Sequence, residues 1–158
     1  IRKFKLDEFP QLWNVLKGEM SLVGPRPNVE DETRLYTDEE KHLLDVRPGI
    51  TDMASIVFAD ESDILKGHDD PDLAYNQLVR PWKSRLGLLY VKHFSFWLDV
   101  RLIFLTILAI VRRRLAVLRV GRLVQELGGD DALCAVSRRE TELAPHPPPG
   151  SDAIVTTR

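Results

Sequence analysis

The residues best suited to chemistry stand near the beginning of the chain, where Asp7 and Glu8 are adjacent. Neighbouring side chains on a helix point about 100° apart, so such a pair does not face itself as a proton-sharing dyad would. A carboxylate can accept a phosphoryl group or offer a hard oxygen donor to Mg²⁺. The same two acids also suit an ordinary first helical turn, whose exposed N–H groups and dipole favour negative charge. Further on, Pro25-Arg26-Pro27 holds a guanidinium fork on a stiff backbone. That fork matches phosphate oxygens, or it is a surface arginine on a rigid turn. Arg2, Arg47 and Arg80 are unremarkable taken singly, and His42 and His93 read as surface or packing residues. The four histidines show no metal-ligand spacing, and Gly24 and Gly49 mark turns rather than a phosphate-binding glycine loop.

Several elements must position these groups. Leu6, Phe9, Trp13 and Leu16 recur at helical steps, which predicts a helix over 6–17 with Pro10 in its first turn and Gly18 as its stop. Two prolines and a glycine exclude helix from 21–27. Helix is expected over 28–35, and Thr37-Asp38-Glu39-Glu40 has the form of a capping box opening another that ends before Pro48. Residues 50–58 have strand character, and 60–72 read as an acidic loop with one helical turn. Helix returns over 73–85, interrupted near Pro81. Ser95 should cap a helix from Phe96 to about Arg114. Its apolar run, 102–111, covers about 15 Å, roughly half a bilayer core. Beyond Leu127, glycines, aspartates and prolines predict a disordered tail over 128–158 that contains Cys134.

Composition narrows the class. The chain has 158 residues, 44% hydrophobic and 29% charged, which is one domain's worth and neither disordered nor collagen-like throughout. A single cysteine excludes a disulfide framework and cysteine-rich metal sites. The net charge of −2 conceals two blocks: 14 acidic against 4 basic residues over 28–72, and 10 basic against Asp99 alone over 80–122. Trp82, Tyr90, Phe94, Phe96 and Trp97 interleave with Arg80, Lys83, Arg85 and Lys92. Aromatics beside cations suggest an interfacial segment at an anionic membrane surface. Nucleic acid is the weaker reading, because the apolar run would serve no purpose there. The chain begins with Ile1 and has no recognisable signal peptide, so it reads as a piece whose upstream part is missing.

The run Leu6-Asp7-Glu8-Phe9-Pro10-Gln11-Leu12-Trp13-Asn14-Val15-Leu16-Lys17-Gly18-Glu19-Met20-Ser21-Leu22-Val23-Gly24-Pro25-Arg26-Pro27 resembles the bacterial sugar transferase family. These are polyprenyl-phosphate phosphoglycosyl transferases that initiate glycoconjugate synthesis. Arg47-Pro48-Gly49-Ile50-Thr51 is similar to a second family segment. Leu89-Tyr90-Val91-Lys92, Ser95 and Leu98-Asp99-Val100-Arg101 are similar to a third. The resemblance spans residues 1–114 and implies that 1–127 are the C-terminal portion of a catalytic domain. The expected fold is mainly α with minor β, membrane-associated and monotopic, with interfacial amphipathic helices.

The resemblance implies that Asp7 attacks the β-phosphate of a UDP-sugar, releases UMP and holds the sugar phosphate covalently. The phosphate of a polyprenyl carrier then displaces it. Glu8 would bind Mg²⁺, Arg26 and Arg2 would contact phosphate or nucleotide, and Pro25, Pro27 and Arg47 complete the substrate-binding set. The cytoplasmic face of a bacterial inner membrane is the expected location, and a homodimer is left open. The chain departs from the family pattern in four places: at Lys5, Asp52-Met53, Ala59-Asp60-Glu61 and Gly87. Sugar choice is expected to lie in 52–65. The alternative reading, from a different functional class, is a non-catalytic membrane-surface or partner-binding module derived from this family.

Overall fold

The computed structural model describes residues 9–26 and 33–156, apart from the side chain of Phe9. Asp7, Glu8, Arg2, Lys5 and Pro27, with most of the helix expected over 28–35, lie outside the described residues. The chain is mainly helical with one small sheet, as expected. In order come α1 (Phe9–Leu16), β1 (Ser21–Val23), a 3₁₀ helix (Glu40–Asp45), β2 (Gly49–Thr51), α2 (Met53–Val57), α3 (Glu61–Leu65) and α4 (Pro71–Ala74). A π-helical turn (Tyr75–Val79) then leads into α5 (Arg80–Lys92), α6 (Phe96–Glu126) and α7 (Asp131–Ser137). Among the described residues no helix is long and apolar enough to cross a membrane.

Local chemistry explains most boundaries. Gly18 adopts a left-handed φ of +79° and ends α1. The capping box forms reciprocally: the Glu40 N–H donates to Thr37 Oγ1 at 3.1 Å, and the Thr37 N–H donates to Glu40 Oε2 at 3.0 Å. Ser95 caps α6 by accepting from the Leu98 N–H. Pro81 sits in the first turn of α5, and the helical run changes to π geometry over Tyr75–Val79 just before it, near the interruption expected there. The strand expected over 50–58 stops after Thr51. The Asp52 side chain accepts from the Ser55 N–H at 2.7 Å and turns the chain into α2. The cap therefore overrides the β-branched composition of that stretch.

β1 and β2 pair in parallel, Ser21 opposite Gly49 and Val23 opposite Thr51. The turn after β1 folds back across β2, and the Gly49 N–H donates to the Pro25 carbonyl at 3.0 Å. Gly24 and Gly49 lie back to back: a Cβ on Gly49 would sit 2.1 Å from Gly24 N and 2.5 Å from Val23 C. Both glycines therefore serve close backbone approach, a stronger requirement than the turns expected of them. Gly49→Ala must force the strands apart and is expected to cost about 1–3 kcal/mol or more, read as a lowered melting temperature. Gly67→Ala is the control, since its cost of about 1 kcal/mol comes from a φ of +94° with nothing within 4 Å of the added carbon.

The core gathers Val23, the buried face of α2, Leu86 and Tyr90 of α5, and Leu98, Leu102, Val120, Leu123 and Val124 of α6. Trp82 is 5% exposed and Tyr90 1%, so α5 is a core helix and not the interfacial segment expected of it. Tyr90 donates from its hydroxyl to Asp99 Oδ1 at 2.6 Å and to the Val23 carbonyl at 3.3 Å, tying α5, α6 and β1 together. Burial first, and then the Asp99 carboxylate, push its phenol well above the usual range. The exposed apolar surface lies instead on α6 and the turn before it, with Phe94, Phe96, Trp97, Phe104, Ile107, Ile110 and Val111 all open to solvent. On α1, Leu12, Trp13 and Leu16 are likewise exposed.

The tail is ordered where disorder was expected. Gly128 (φ +85°) terminates α6, Asp130 caps α7 by accepting from the Leu133 N–H, and Leu133, Cys134 and Val136 join the core. Burial raises the Cys134 thiol. Residues 146–155 form a strap: Thr37 Oγ1 donates to the Pro149 carbonyl, Gln77 Nε2 donates to the Val155 carbonyl, and the His146 ring packs on Trp82 at 4.5 Å. The prolines that suggested disorder rigidify this strap while their carbonyls still accept hydrogen bonds. Average composition concealed the three core residues of α7.

Candidate functional site

The two charge blocks meet across the fold through three ion pairs among the described residues. Arg80 pairs with Glu40, Lys83 with Glu61, and Arg113 with Asp60. Arg80, unremarkable in the sequence, is 3% exposed, and Glu40 is fully buried. The Arg80 guanidinium donates from Nε and Nη2 to the two Glu40 oxygens at 3.2 and 2.6 Å, and Nη2 also reaches the Leu35 carbonyl at 2.7 Å. Ser84 adds a hydroxyl donor to Glu40 Oε1 at 2.7 Å. This is a saturated buried ion pair, and it fixes one wall of a cavity.

That cavity, of about 730 Å³, is where the predicted site residues can be placed. Pro25 and Arg26 line it beside Thr51 and Asp52, with Lys83 of α5 and Ile110 of α6 on other sides. Pro25 is buried and Arg26 exposed. The turn that carries them is anchored by the Gly24–Gly49 contact and backed by α5. Gly87 leaves no room there: an added Cβ would lie 2.6 Å from Leu43 Cδ2 and 3.7 Å from Pro25. Arg47 is not brought into this cavity. Its Nη1 lies beside Gly18, 3.8 Å from the position of an added Cβ, at the C-terminal end of α1.

Sequence reasoning missed two charged residues in this cavity. Asp52 is only 5% exposed, and burial lifts its carboxyl above the usual range despite Ser55, Lys83 and Arg26, which pull it down. An acid so raised costs stability that grows as pH climbs from its unfolded value through its folded one. Lys83 is held between Glu61 Oε2 and the face of Tyr75, 5.3 Å from the ring centre. The cue for Asp52 was its place directly after Gly49-Ile50-Thr51; nothing in the sequence marked Lys83. Among the described residues no three metal-ligating side chains converge.

The apolar helix approaches from the opposite side. Thr106, the one polar residue in the 102–111 run, hydrogen-bonds through Oγ1 to Thr51 Oγ1 at 2.8 Å and to the Leu102 carbonyl at 2.8 Å. This holds α6 against β2 and brings Ala109 and Ile110 to the cavity wall. Just beyond, α6 breaks at Arg112 (φ −141°, ψ 71°). Arg113 turns in to Asp60 at 2.7 Å, while Arg112 and Arg114 stay exposed. A cationic and hydroxylic chamber therefore opens beside a solvent-exposed apolar ridge.

Comparison with known proteins agrees with this arrangement. The chain is 39% identical over 113 residues to an undecaprenyl-phosphate galactose phosphotransferase of Salmonella typhimurium, covering 72% of this chain and 20% of that protein. It is 38% identical over 120 residues to a UDP-N-acetylgalactosamine-undecaprenyl-phosphate N-acetylgalactosaminephosphotransferase of Aeromonas hydrophila, covering 70% and 24%. It is 37% identical over 114 residues to the exopolysaccharide production protein ExoY of Rhizobium meliloti, covering 72% and 43%. The chain thus spans between a fifth and less than half of these relatives. The bacterial sugar transferase model matches residues 1–113, which contain both glycine-locked segments, the cavity's cations and the apolar ridge, and to that family this chain belongs.

Proposed function

We propose that the protein transfers a sugar 1-phosphate from a UDP-sugar to a polyprenyl phosphate and releases UMP, at the cytoplasmic face of a bacterial inner membrane. The observation that carries this reading is the cavity itself. Arg26 offers positive charge to a diphosphate on one side, and Ile110 links the opening to the exposed ridge of α6 on another. A water-soluble nucleotide sugar and a lipid-tethered phosphate need such a meeting point. Aromatics at one end of the ridge and the exposed Arg112 and Arg114 at the other suit residence among anionic headgroups.

In this reading an Asp7 oxygen attacks the β-phosphorus, and the bond from that phosphorus to the UMP oxygen breaks. An oxygen of the carrier phosphate then attacks the same phosphorus and frees the Asp7 carboxylate. Glu8 is the proposed ligand for Mg²⁺, which when bound would neutralise diphosphate charge. Arg26, on its rigid turn, holds the diphosphate so that little reorganisation accompanies transfer. Phosphoryl transfer rests on positioning and charge, so this chemistry needs no histidine base.

The test is UMP release from a panel of UDP-sugars by membranes containing the full-length protein, with polyprenyl phosphate and Mg²⁺. Release confined to one or a few sugars, lost on removing the metal and limited to about one UMP per enzyme on removing the carrier, is the expected result. No release across the panel, from folded and membrane-bound protein, would overturn the reading in favour of a non-catalytic module.

A further inference from the structure

Asp52 does more than its local role requires. Capping α2 takes one side-chain oxygen, and a neutral asparagine or serine does it as well. Yet a carboxylate stands there, buried in the wall of the cavity. Both of its hydrogen bonds, from the Ser55 N–H and hydroxyl, fall on Oδ1. Oδ2 has no hydrogen-bond partner among the described residues. That oxygen is not sealed away from solvent, and because Asp52 lines the cavity a donor entering there can reach it.

Lys83 supplies the complement. Its ammonium is close enough to act electrostatically on the Asp52 carboxyl and lines the same cavity. Glu61 takes one of its three donors. The wall thus presents an acceptor without a donor and a donor with capacity to spare. A phosphate would suit Lys83 but be repelled by Asp52. A hydroxyl both donates and accepts, so neighbouring ring hydroxyls of a sugar satisfy both groups together.

We infer that Asp52 and Lys83 form the sugar-recognition end of the cavity, reading ring hydroxyls of the donor's sugar, while Arg26 serves the diphosphate. This rests on the transferase reading above. Asp52 and Lys83 are specificity residues here, distinct from the group that attacks phosphorus.

The experiment compares wild type with Asp52→Asn, which keeps the cap, and Lys83→Met, which keeps the apolar stem. It measures kcat/KM for the preferred UDP-sugar and for its ring-hydroxyl epimer, together with inhibition by UMP. The expected result is a loss of about ten- to a hundredfold for the preferred sugar, little change for the epimer, and unchanged UMP inhibition. Calorimetric titration should show the same loss for the intact UDP-sugar and none for UMP. Weakening of UMP in step with the sugar would overturn the assignment by placing the pair at the nucleotide. Unchanged kinetics for every sugar would overturn it too, reducing Asp52 to a cap. Wild type inactive toward, and not binding, any UDP-sugar would instead remove the underlying transferase reading, so the two failures remain distinct.

Discussion

Glu40→Ala is expected to destabilise the protein by about 3–5 kcal/mol, because it leaves Arg80 charged and buried without its partner. The carboxylate accepts four hydrogen bonds: two from Arg80, one from the Ser84 hydroxyl and one from the Thr37 N–H. Truncation takes this acceptor from all four donors, of which those of Arg80 and Ser84 belong to buried residues. Small domains hold only about 5–15 kcal/mol in total, so the variant should lose roughly 10 °C or more in melting temperature. Replacing both partners, Glu40→Leu with Arg80→Met, should recover most of that loss, because an apolar pair of similar volume carries no desolvation cost. A double variant as unstable as Glu40→Ala would show that the pair's geometry, rather than its balance of charge, holds this wall in place.

Asp7→Asn in the full-length protein is expected to reduce UMP release by about three orders of magnitude or more, since an amide cannot replace the attacking carboxylate. Binding of UDP-sugar should survive, because in the proposed reading Arg26, not Asp7, holds the diphosphate. Intact-protein mass measurement after exposure to donor without carrier should find a sugar-phosphate adduct on wild type and none on the variant. Glu8→Gln should behave differently, with activity partly restored at raised Mg²⁺. Wild-type UMP release from Asp7→Asn would exclude this aspartate as nucleophile and redirect the search to other carboxylates.

Short-range chemistry was the legible part of this sequence. The Thr37–Glu40 capping box, the Ser95 cap and the Gly18 stop each depend on residues within four positions, and each forms. Two of the family segments come together in space, since Pro25, Arg26 and Thr51 line one cavity. What depended on distant pairing was not legible. Arg80 gave no sign of Glu40, forty residues away, and Gly24 none of Gly49. The basic block read as surface, although Arg80, Lys83 and Arg113 are committed to acids of the opposite block. Trp82 and Tyr90 read as interfacial because aromatic beside basic looks the same whether the helix is half-wet or buried. Residues 50–58 read as strand because β-branched composition was given more weight than the single aspartate that caps α2.

The break in α6 at Arg112 marks a difference between the unit of descent and the unit of folding. The stretch that matches the family ends at residue 113, one position past the break. The hydrophobic core does not end there: Ala116, Val120, Leu123 and Val124 share it with Val23 and Met53, and Leu133, Cys134 and Val136 close over them. Asp60 crosses the same seam, binding Arg113 on the inherited side and Arg139 on the other. The matched stretch and the residues after it therefore share one core, and removing residues 114–156 is expected to expose Val23, Met53 and Leu102 to water.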